Sequence, residues 1–209
     1  MSDKDCGNHG KGRRKFFRRL IACILFFILL VLITILLIWA ILRPSKPRFI
    51  LQDTTVYAFN ASTPNFLTSN FQVTVSSRNP NDEIGIYYDR LDVYATYRSQ
   101  QITLQTALPP TYQGHNEIIV WSPFIYGNMV PISPDYSVSL GAEQAAGTFF
   151  VTIKIDGRVR WKVGTFVSGG YNLYVTCPAY LTFGSRSNGI MVGDNAIKFQ
   201  FVTRCSVSV

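Results

Sequence analysis

Residues that commonly carry chemistry are rare in this sequence. Its 209 residues include only two histidines and four cysteines. The histidines, His9 and His115, are far apart, and no Gly-x-Ser-x-Gly motif accompanies them, so a Ser-His-Asp hydrolase is not indicated. The later cysteines have no histidine nearby to complete a metal site, and no glycine-rich phosphate loop precedes a helix. We therefore expect a protein that is not an enzyme and that holds no cofactor and no metal.

Acidic residues are also scarce, with 12 Asp and Glu against 20 Lys and Arg and a net charge of +8. The excess lies near the N-terminus, because residues 1–19 contain seven basic and two acidic residues, and Arg43, Lys46 and Arg48 follow. From Phe49 onward, ten basic residues balance ten acidic ones. A nucleic-acid-binding protein would carry its basic residues on the folded region. We expect no nucleic-acid partner.

One long apolar run dominates the N-terminal region. Residues 20–42 contain no charged side chain. As a helix, this run would be about 34 Å long, enough to cross a hydrocarbon core of about 30 Å. A buried core helix would be shorter and have a polar face, and a cleaved signal peptide would have a shorter apolar region ending in small residues. The run is therefore predicted to be a transmembrane helix that stays in place as a signal anchor.

The flanking charges predict the orientation. More basic residues precede the apolar run than follow it, so residues 1–19 are expected to form a basic cytosolic tail that attracts anionic lipid. The remainder would lie outside the cytosol. The prolines Pro44 and Pro47 make residues 43–48 a short, extended linker. Residues 49–209 are then long enough for one domain with a hydrophobic core.

Alternating patterns predict that this domain is built from β-strands. In the segment 70–76, Phe71, Val73 and Val75 would share one face, as an antiparallel sheet with one buried side requires. Similar alternation occurs at 90–98, 171–176 and 196–203, and weaker runs lie near Thr55, Ile102, Ile119 and Ser137. About seven to nine strands are expected, arranged as a two-layer sandwich.

The segment around Asp156-Gly157 is predicted to be a hairpin. Alternating runs lie on both sides of this pair, and Asp-Gly is a frequent turn sequence. A three-residue loop, 156–158, would set Ile155 opposite Val159 and keep the apolar residues on one face. We therefore expect a bulged three-residue turn here.

Cys177 and Cys205 would share the oxidising side of the membrane, so a disulfide between them is expected, with two buried free thiols as the alternative. Asn60-Ala61-Ser62 is an N-glycosylation sequon, and Asn60 would face the compartment in which glycans are added.

Several local patterns resemble those of one plant family. They are Asn79-Pro80-Asn81 followed by residues 84–89, the segment 108–115, Trp121-Ser122-Pro123, Arg160-Trp161-Lys162 within 159–164, Cys177-Pro178, and the C-terminal run 198–207. With the basic tail and the single apolar run, they resemble the non-race-specific disease resistance/harpin-induced-like proteins, whose outer domain is of the group 2 late embryogenesis abundant class. The resemblance covers essentially the whole chain.

The resemblance implies a plasma-membrane protein whose immunoglobulin- or fibronectin-III-like sandwich faces the cell wall. It also implies a non-enzymatic role in plant defence and stress responses through contacts with unidentified proteins. A lipid- or wall-binding module that protects the membrane during abiotic stress is the alternative. For the motifs themselves, we expect Asn79-Pro80-Asn81 to form a firm turn. We expect Trp161 to enter the core while Arg160 and Lys162 face water, although both motifs could instead form a partner-binding surface.

Overall fold

A computed structural model describes residues 9–41, 44–62, 65–182, 189–192 and 196–209. The side chains of residues 9–15, 38–41, 61, 62, 144 and 201 are not part of this description. The beginning of the basic tail, residues 1–8, and the end of the predicted span and start of the linker, residues 42 and 43, lie outside it. The chain divides into two units, Met1–Arg43 and Pro44–Val209.

The first unit contains one long helix, α1 (His9–Ile41), of 33 residues. Within it, Phe16–Leu37 is long and apolar enough to cross a membrane, and none of that stretch is buried by other parts of the protein. The helix begins in the predicted tail, so Arg18 and Arg19 are helical and continuous with the apolar stretch. The helix ends at Ile41, before Pro44. Proline cannot donate a backbone hydrogen bond and therefore does not continue a helix.

The second unit is a two-layer β-sandwich with one helix, which confirms the predicted fold class. Its described strands are β1 (Arg48–Ser62), β2 (Phe66–Arg78), β3 (Ile84–Tyr97), β4 (Gln100–Gln101), β5 (Thr106–Leu108), β6 (Thr111–Gln113), β7 (Ile118–Trp121), β8 (Phe124–Pro131), β9 (Thr148–Val163), β10 (Phe166–Val167), β11 (Tyr171–Thr182), β12 (Ile190–Val192), β13 (Ala196–Arg204) and β14 (Ser206–Ser208). The helix α2 (Pro134–Ala146) lies between β8 and β9 in the chain.

The strands form two antiparallel sheets. Sheet 1 has the order β12-β13-β1-β2-β7, and β8 also pairs with β2. Sheet 2 has the order β14-β11-β9-β3-β4. In addition, β10 pairs with β9, and both β5 and β6 pair with β3. The chain passes from sheet 1 to sheet 2 at Cys205, between β13 and β14.

Alternation in the sequence places the core as predicted. In β2, Phe71, Val73 and Val75 are buried, while the residues between them are only partly buried. The same alternation buries Leu91 and Val93 in β3. The inner faces of the two sheets therefore supply one shared core, which the hydrophobic effect stabilises in proportion to the apolar area removed from water.

The structure has fourteen described strands, more than the seven to nine expected, because short strands such as β4 and β10 add to the long ones. Two local predictions were also wrong. The run near Ser137 is not a strand, because α2 spans this position and buries Leu140. The sequence Ser133-Pro134-Asp135 carries the signals of a helix start, with proline in the first turn, an acidic residue beside the helix N-terminus, and the Ser133 carbonyl accepting the backbone N–H of Ser137 at 2.9 Å.

The Asp156-Gly157 pair is also not a turn. It lies in the middle of β9, where Asp156 pairs with Asp92 of β3 on one side and with Tyr174 of β11 on the other. A Cβ atom at Gly157 would overlap the carbonyl oxygen of Arg90 and the side chain of Leu91. The glycine is therefore required by the close approach of β3 and not by a reversal of the chain.

Candidate functional site

The Asn79-Pro80-Asn81 motif forms a buried polar turn between β2 and β3. Both asparagines are buried, and the Asn79 side chain donates to the backbone carbonyls of Ile84 at 2.7 Å and Gly114 at 2.8 Å. Its Oδ1 accepts the backbone N–H of Asn81 at 3.1 Å, which is the hydrogen bond of an Asx turn. Oδ1 also accepts from Nδ2 of Asn81 at 2.8 Å. The two side chains thus form one network in which the amide of Asn79 is fully used.

Asn81 extends this network to the segment that follows α1 in the sequence. Its Oδ1 accepts the backbone N–H of Ser45 at 2.8 Å, and its Nδ2 donates to the Ser45 carbonyl at 2.9 Å. A side-chain amide that uses both its donor and its acceptor on one residue fixes that residue's position and orientation. The predicted linker is therefore tied to the sandwich through Ser45, a contact that the sequence analysis missed.

A second buried network joins the two sheets beside this turn. The hydroxyl of Tyr88 donates to Oε1 of Gln113 at 2.8 Å, and the hydroxyl of Ser77 lies 2.9 Å from that of Tyr88. Nε2 of Gln113 donates to the carbonyls of Ser77 at 2.8 Å and Glu117 at 2.9 Å. Burial raises the pKa of the Tyr88 hydroxyl well above its ordinary value, and the hydrogen bond with Ser77 lowers it in part. The network therefore holds a neutral phenol in the core.

Sequence reasoning did not identify Tyr88 and Gln113 as partners, although both lie inside the patterns that it quoted. They are 25 residues apart in the chain and come together because β6 pairs with β3, where Tyr87 is opposite Tyr112. Nothing in the sequence indicates this pairing.

The Arg160-Trp161-Lys162 motif lies in β9 of sheet 2. Trp161 is in the core, and its neighbours point to the other face. Arg160 makes a bidentate ion pair with Asp89. Its Nη2 lies 2.6 Å from Oδ1 and its Nε lies 2.8 Å from Oδ2. The hydrogen bond to Asp89 is the main cause that raises the pKa of Arg160.

Lys162 lies over two tyrosine rings on the same face. Its Nζ is 5.0 Å from the ring centre of Tyr112 and 5.8 Å from that of Tyr87, and the two rings are 4.6 Å apart. Such cation–π contacts contribute about 0.5–1 kcal/mol each at exposed sites. The motif therefore has structural partners for all three of its residues.

Cys177 and Cys205 are joined by a disulfide, with their Cα atoms 4.3 Å apart. The bridge connects β11 to the point at which the chain leaves β13 for β14.

Asn60 lies in β1, opposite Thr68 of β2, and is exposed. The side chain of Ser62, the third residue of the sequon, is outside the described part of the structure.

Residues of metal-binding type are dispersed in the part of the chain that the structure describes. Among those residues, no group of three or more His, Cys, Asp or Glu side chains could hold a metal ion. His115 is exposed in the loop between β6 and β7. The motif residues that do converge, Asn79, Asn81 and Gln113, bond to backbone groups of the sandwich and organise its structure.

Comparisons with known proteins place this architecture in a family. A family model described as late embryogenesis abundant protein matches residues 74–177, which include β3 and β9 entirely. NDR1/HIN1-like protein 1 of Arabidopsis thaliana is 64% identical over 99% of this chain and 100% of its own length. NDR1/HIN1-like protein 12 of the same plant is 60% identical over the whole of both chains, and NDR1/HIN1-like protein 26 is 44% identical over 73% of each.

The fold and the matching model define the class, which is an apolar helix long enough to span a membrane followed by a late embryogenesis abundant β-sandwich. The chain belongs to the NDR1/HIN1-like family, which the full-length relatives establish. The names of this plant family relate it to stress and defence. The family resemblance predicted from the motifs is confirmed.

Proposed function

We propose that this protein is a non-enzymatic component of plant defence and stress responses, anchored in the plasma membrane by α1. Residues 1–19 would be cytosolic and contact anionic lipid, residues 20–42 would span the bilayer, and the sandwich would lie outside the cell. There it would act through protein contacts. The family names support the defence and stress role, and the exposed apolar surface of the helix between Phe16 and Leu37 supports the membrane anchor.

The orientation is supported by the asymmetry of the basic residues around the span. Protease added to intact protoplasts is expected to digest the sandwich and to spare an epitope fused to the N-terminus. Permeabilised protoplasts serve as the control, since both parts then become accessible. A sandwich that stays intact in sealed cells would contradict the proposed orientation.

The observation that carries the proposed protein contacts is an apolar strip on the outer face of sheet 1. It consists of five side chains, each between 38% and 58% exposed: Tyr57, Ile118, Val120, Phe124 and Tyr126. Val120 pairs with Ser76 of β2 and Phe124 with Gln72, so both point away from the core that buries Phe71 and Val75. Exposed apolar side chains on one face of a sheet, among them Tyr57 and Phe124 in contact with each other, are typical of interaction sites.

The experiment compares partners of the wild type and of strip variants in plant tissue. A labelling enzyme fused to the C-terminus of the full chain would mark neighbouring proteins with and without pathogen challenge. The variant Val120→Glu with Phe124→Glu is expected to lose a challenge-dependent subset of labelled proteins. Val138→Glu is the control, because Val138 is 76% exposed on α2, which is not part of sheet 1. Identical labelling by the strip variant and the wild type would contradict a role of this surface.

A further inference from the structure

A basic pocket of about 380 Å³ opens where sheet 1 begins, beside the disulfide. Its volume lies within the range of small-molecule sites, about 300–1,000 Å³. Phe49 and Cys205 are among the residues that line it, and no acidic residue is among the described lining residues. Four cationic side chains surround it: Lys46, Arg48, Arg78 and Arg204.

The register of sheet 1 explains why three arginines meet at this pocket. Arg48 in β1 is directly opposite Arg78 in β2, and Arg204 in β13 is opposite Ile50, the next outward-facing position of β1. Phe49, between Arg48 and Ile50, points into the core. The arginines of three neighbouring strands therefore share one face at one end of the sheet. Like charges directly opposite each other destabilise a pair of strands.

This repulsion is not offset by carboxylates within the part of the chain that the structure describes. None of the four pocket cations forms an ion pair or a side-chain hydrogen bond there. In contrast, Arg90 is opposite Arg158 in sheet 2, but Nε of Arg90 lies 2.8 Å from Oδ2 of Asp92. Three further ion pairs in the sandwich neutralise cations in the same way: Arg98 with Glu143, Arg160 with Asp89, and Lys198 with Asp53.

The disulfide holds one wall of the pocket in place. Arg204 immediately precedes Cys205, which is bonded to Cys177 of β11. The backbone N–H of Cys205 also donates to the carbonyl of Phe49 at 2.9 Å. The backbone that carries Arg204 is thus fixed next to the strand that carries Arg48, so the backbone positions of these two arginines are set before any ligand binds. Preorganisation of this kind lowers the entropic cost of binding.

We propose that the basic pocket binds the phosphate group of an anionic phospholipid headgroup. A phosphate monoester, as in phosphatidic acid, carries about −1.5 to −2 charge and three acceptor oxygens, which suits a pocket with three arginines better than a carboxylate with one charge and two oxygens. The choice of a lipid as the source rests on the membrane anchoring proposed above. Lys46 follows Ile41, the last described residue of α1, by five positions in the sequence.

The test uses the full chain in micelles of a neutral detergent, with thermal unfolding of the sandwich followed by fluorescence of the core residues Trp121 and Trp161. A ligand that binds the folded sandwich raises its Tm in a concentration-dependent way, which gives an apparent Kd. Dihexanoyl phosphatidic acid is the lipid probe. Dihexanoyl phosphatidylcholine, inorganic phosphate and trigalacturonic acid represent a zwitterionic lipid, free phosphate and an anionic wall polymer.

Two double variants separate the pocket from other basic regions, including the N-terminal tail. Arg48→Gln with Arg204→Gln removes two pocket charges, whereas Lys154→Gln with Arg158→Gln removes the same charge from sheet 2. Phosphatidic acid is expected to raise the Tm of the wild type and of the sheet 2 variant. Its apparent Kd should be at least about tenfold weaker for the pocket variant, because that variant lacks two of the four cationic groups that would hydrogen-bond the phosphate.

Each other outcome overturns the proposal. An equal response of the pocket variant would place the binding elsewhere, and no response of the wild type would mean that the pocket takes no anion. Equal shifts with inorganic phosphate would make free phosphate the ligand, and larger shifts with trigalacturonic acid would make it a wall polymer. Because this titration needs no bilayer, its failure is distinct from a failure of the proposed anchoring, which the protease experiment tests.

Discussion

The side chain of Asn81 hydrogen-bonds both backbone polar groups of Ser45, accepting from its N–H at 2.8 Å and donating to its carbonyl at 2.9 Å. Ser45 is the second residue of the unit that follows α1, so this contact fixes the first residues of the sandwich. Asn79 orients the amide of Asn81 from the other side. The Asn79-Pro80-Asn81 motif thus fixes the position of the first residues of the domain.

The variant Asn81→Ala is expected to lower the free energy of unfolding by about 1–3 kcal/mol, because it removes the two hydrogen bonds to Ser45 and the side-chain hydrogen bond to Asn79. Denaturant unfolding of the full chain in micelles measures this change. Asn172→Ala is the control, since Asn172 is exposed on β11. Equal unfolding midpoints for the two variants would contradict a stabilising role of the hydrogen bonds between Asn81 and Ser45.

Removal of the disulfide is expected to destabilise the sandwich strongly. The bridge joins residues 28 positions apart, and in the chain-entropy model it contributes roughly 3–4 kcal/mol out of about 5–15 kcal/mol for a domain. Cys205→Ser should therefore melt at a clearly lower temperature, and reductant should bring the wild type to the same value. Cys23→Ser is the matched control, because Cys23 is a free, exposed cysteine of α1.

Thiol titration gives an independent check of the bridge. If it forms and the two other cysteines are free, only two of the four cysteines react in the denatured, unreduced protein. Four reactive thiols would show that Cys177 and Cys205 are unpaired.

Gly157→Ala is expected to cost about 1–3 kcal/mol or more, the range for an overpacked core, because its Cβ would overlap the backbone of Arg90. Gly169→Ala is the matched control, since a Cβ there meets nothing within 4 Å. The control should change stability by less than about 1 kcal/mol, in either direction. If both variants melted at the same temperature, the close approach of β3 to β9 would be refuted.

The raised pKa of Tyr88 predicts a loss of stability at alkaline pH. Above a pH of about 10, this tyrosine ionises in the unfolded chain but stays protonated in the fold, so the unfolded state binds fewer protons and the free energy of unfolding falls as pH rises. The contribution of one such group approaches about 1.4 kcal/mol per pH unit. Below that pH its contribution is constant.

Tyr88→Phe should therefore flatten the decline in stability above about pH 10, relative to the wild type. Chemical unfolding at a series of pH values measures both slopes. Identical slopes for wild type and Tyr88→Phe would argue against the buried phenol network.

The sequon predicts one glycan. Asn60 is exposed in β1, and Asn60→Gln expressed in a plant secretory pathway is expected to migrate faster on a gel by the mass of that glycan. Asn172→Gln, which changes an exposed asparagine outside any sequon, should leave migration unchanged. If the two variants migrate alike, the sequon is unused.

The sequence by itself determined the features that depend on one segment at a time. The length and apolar character of the run at Phe16–Leu37 are sufficient for a helix that can span a membrane. Alternation at Phe71, Val73 and Val75 fixes which side of β2 faces the core, because successive side chains of a strand point in opposite directions. These local rules were enough to predict the two-layer sandwich.

Tertiary structure decided every feature that depends on a distant partner. Asp156-Gly157 reads as a turn in isolation, but pairing with both β3 and β11 makes β9 continuous through it. The contact of Asn81 with Ser45 crosses 36 residues, and the cluster of Arg48, Arg78 and Arg204 exists only because β13, β1 and β2 are neighbours in register. Which strands become neighbours is set by burial of the whole core, and no local pattern encodes that choice.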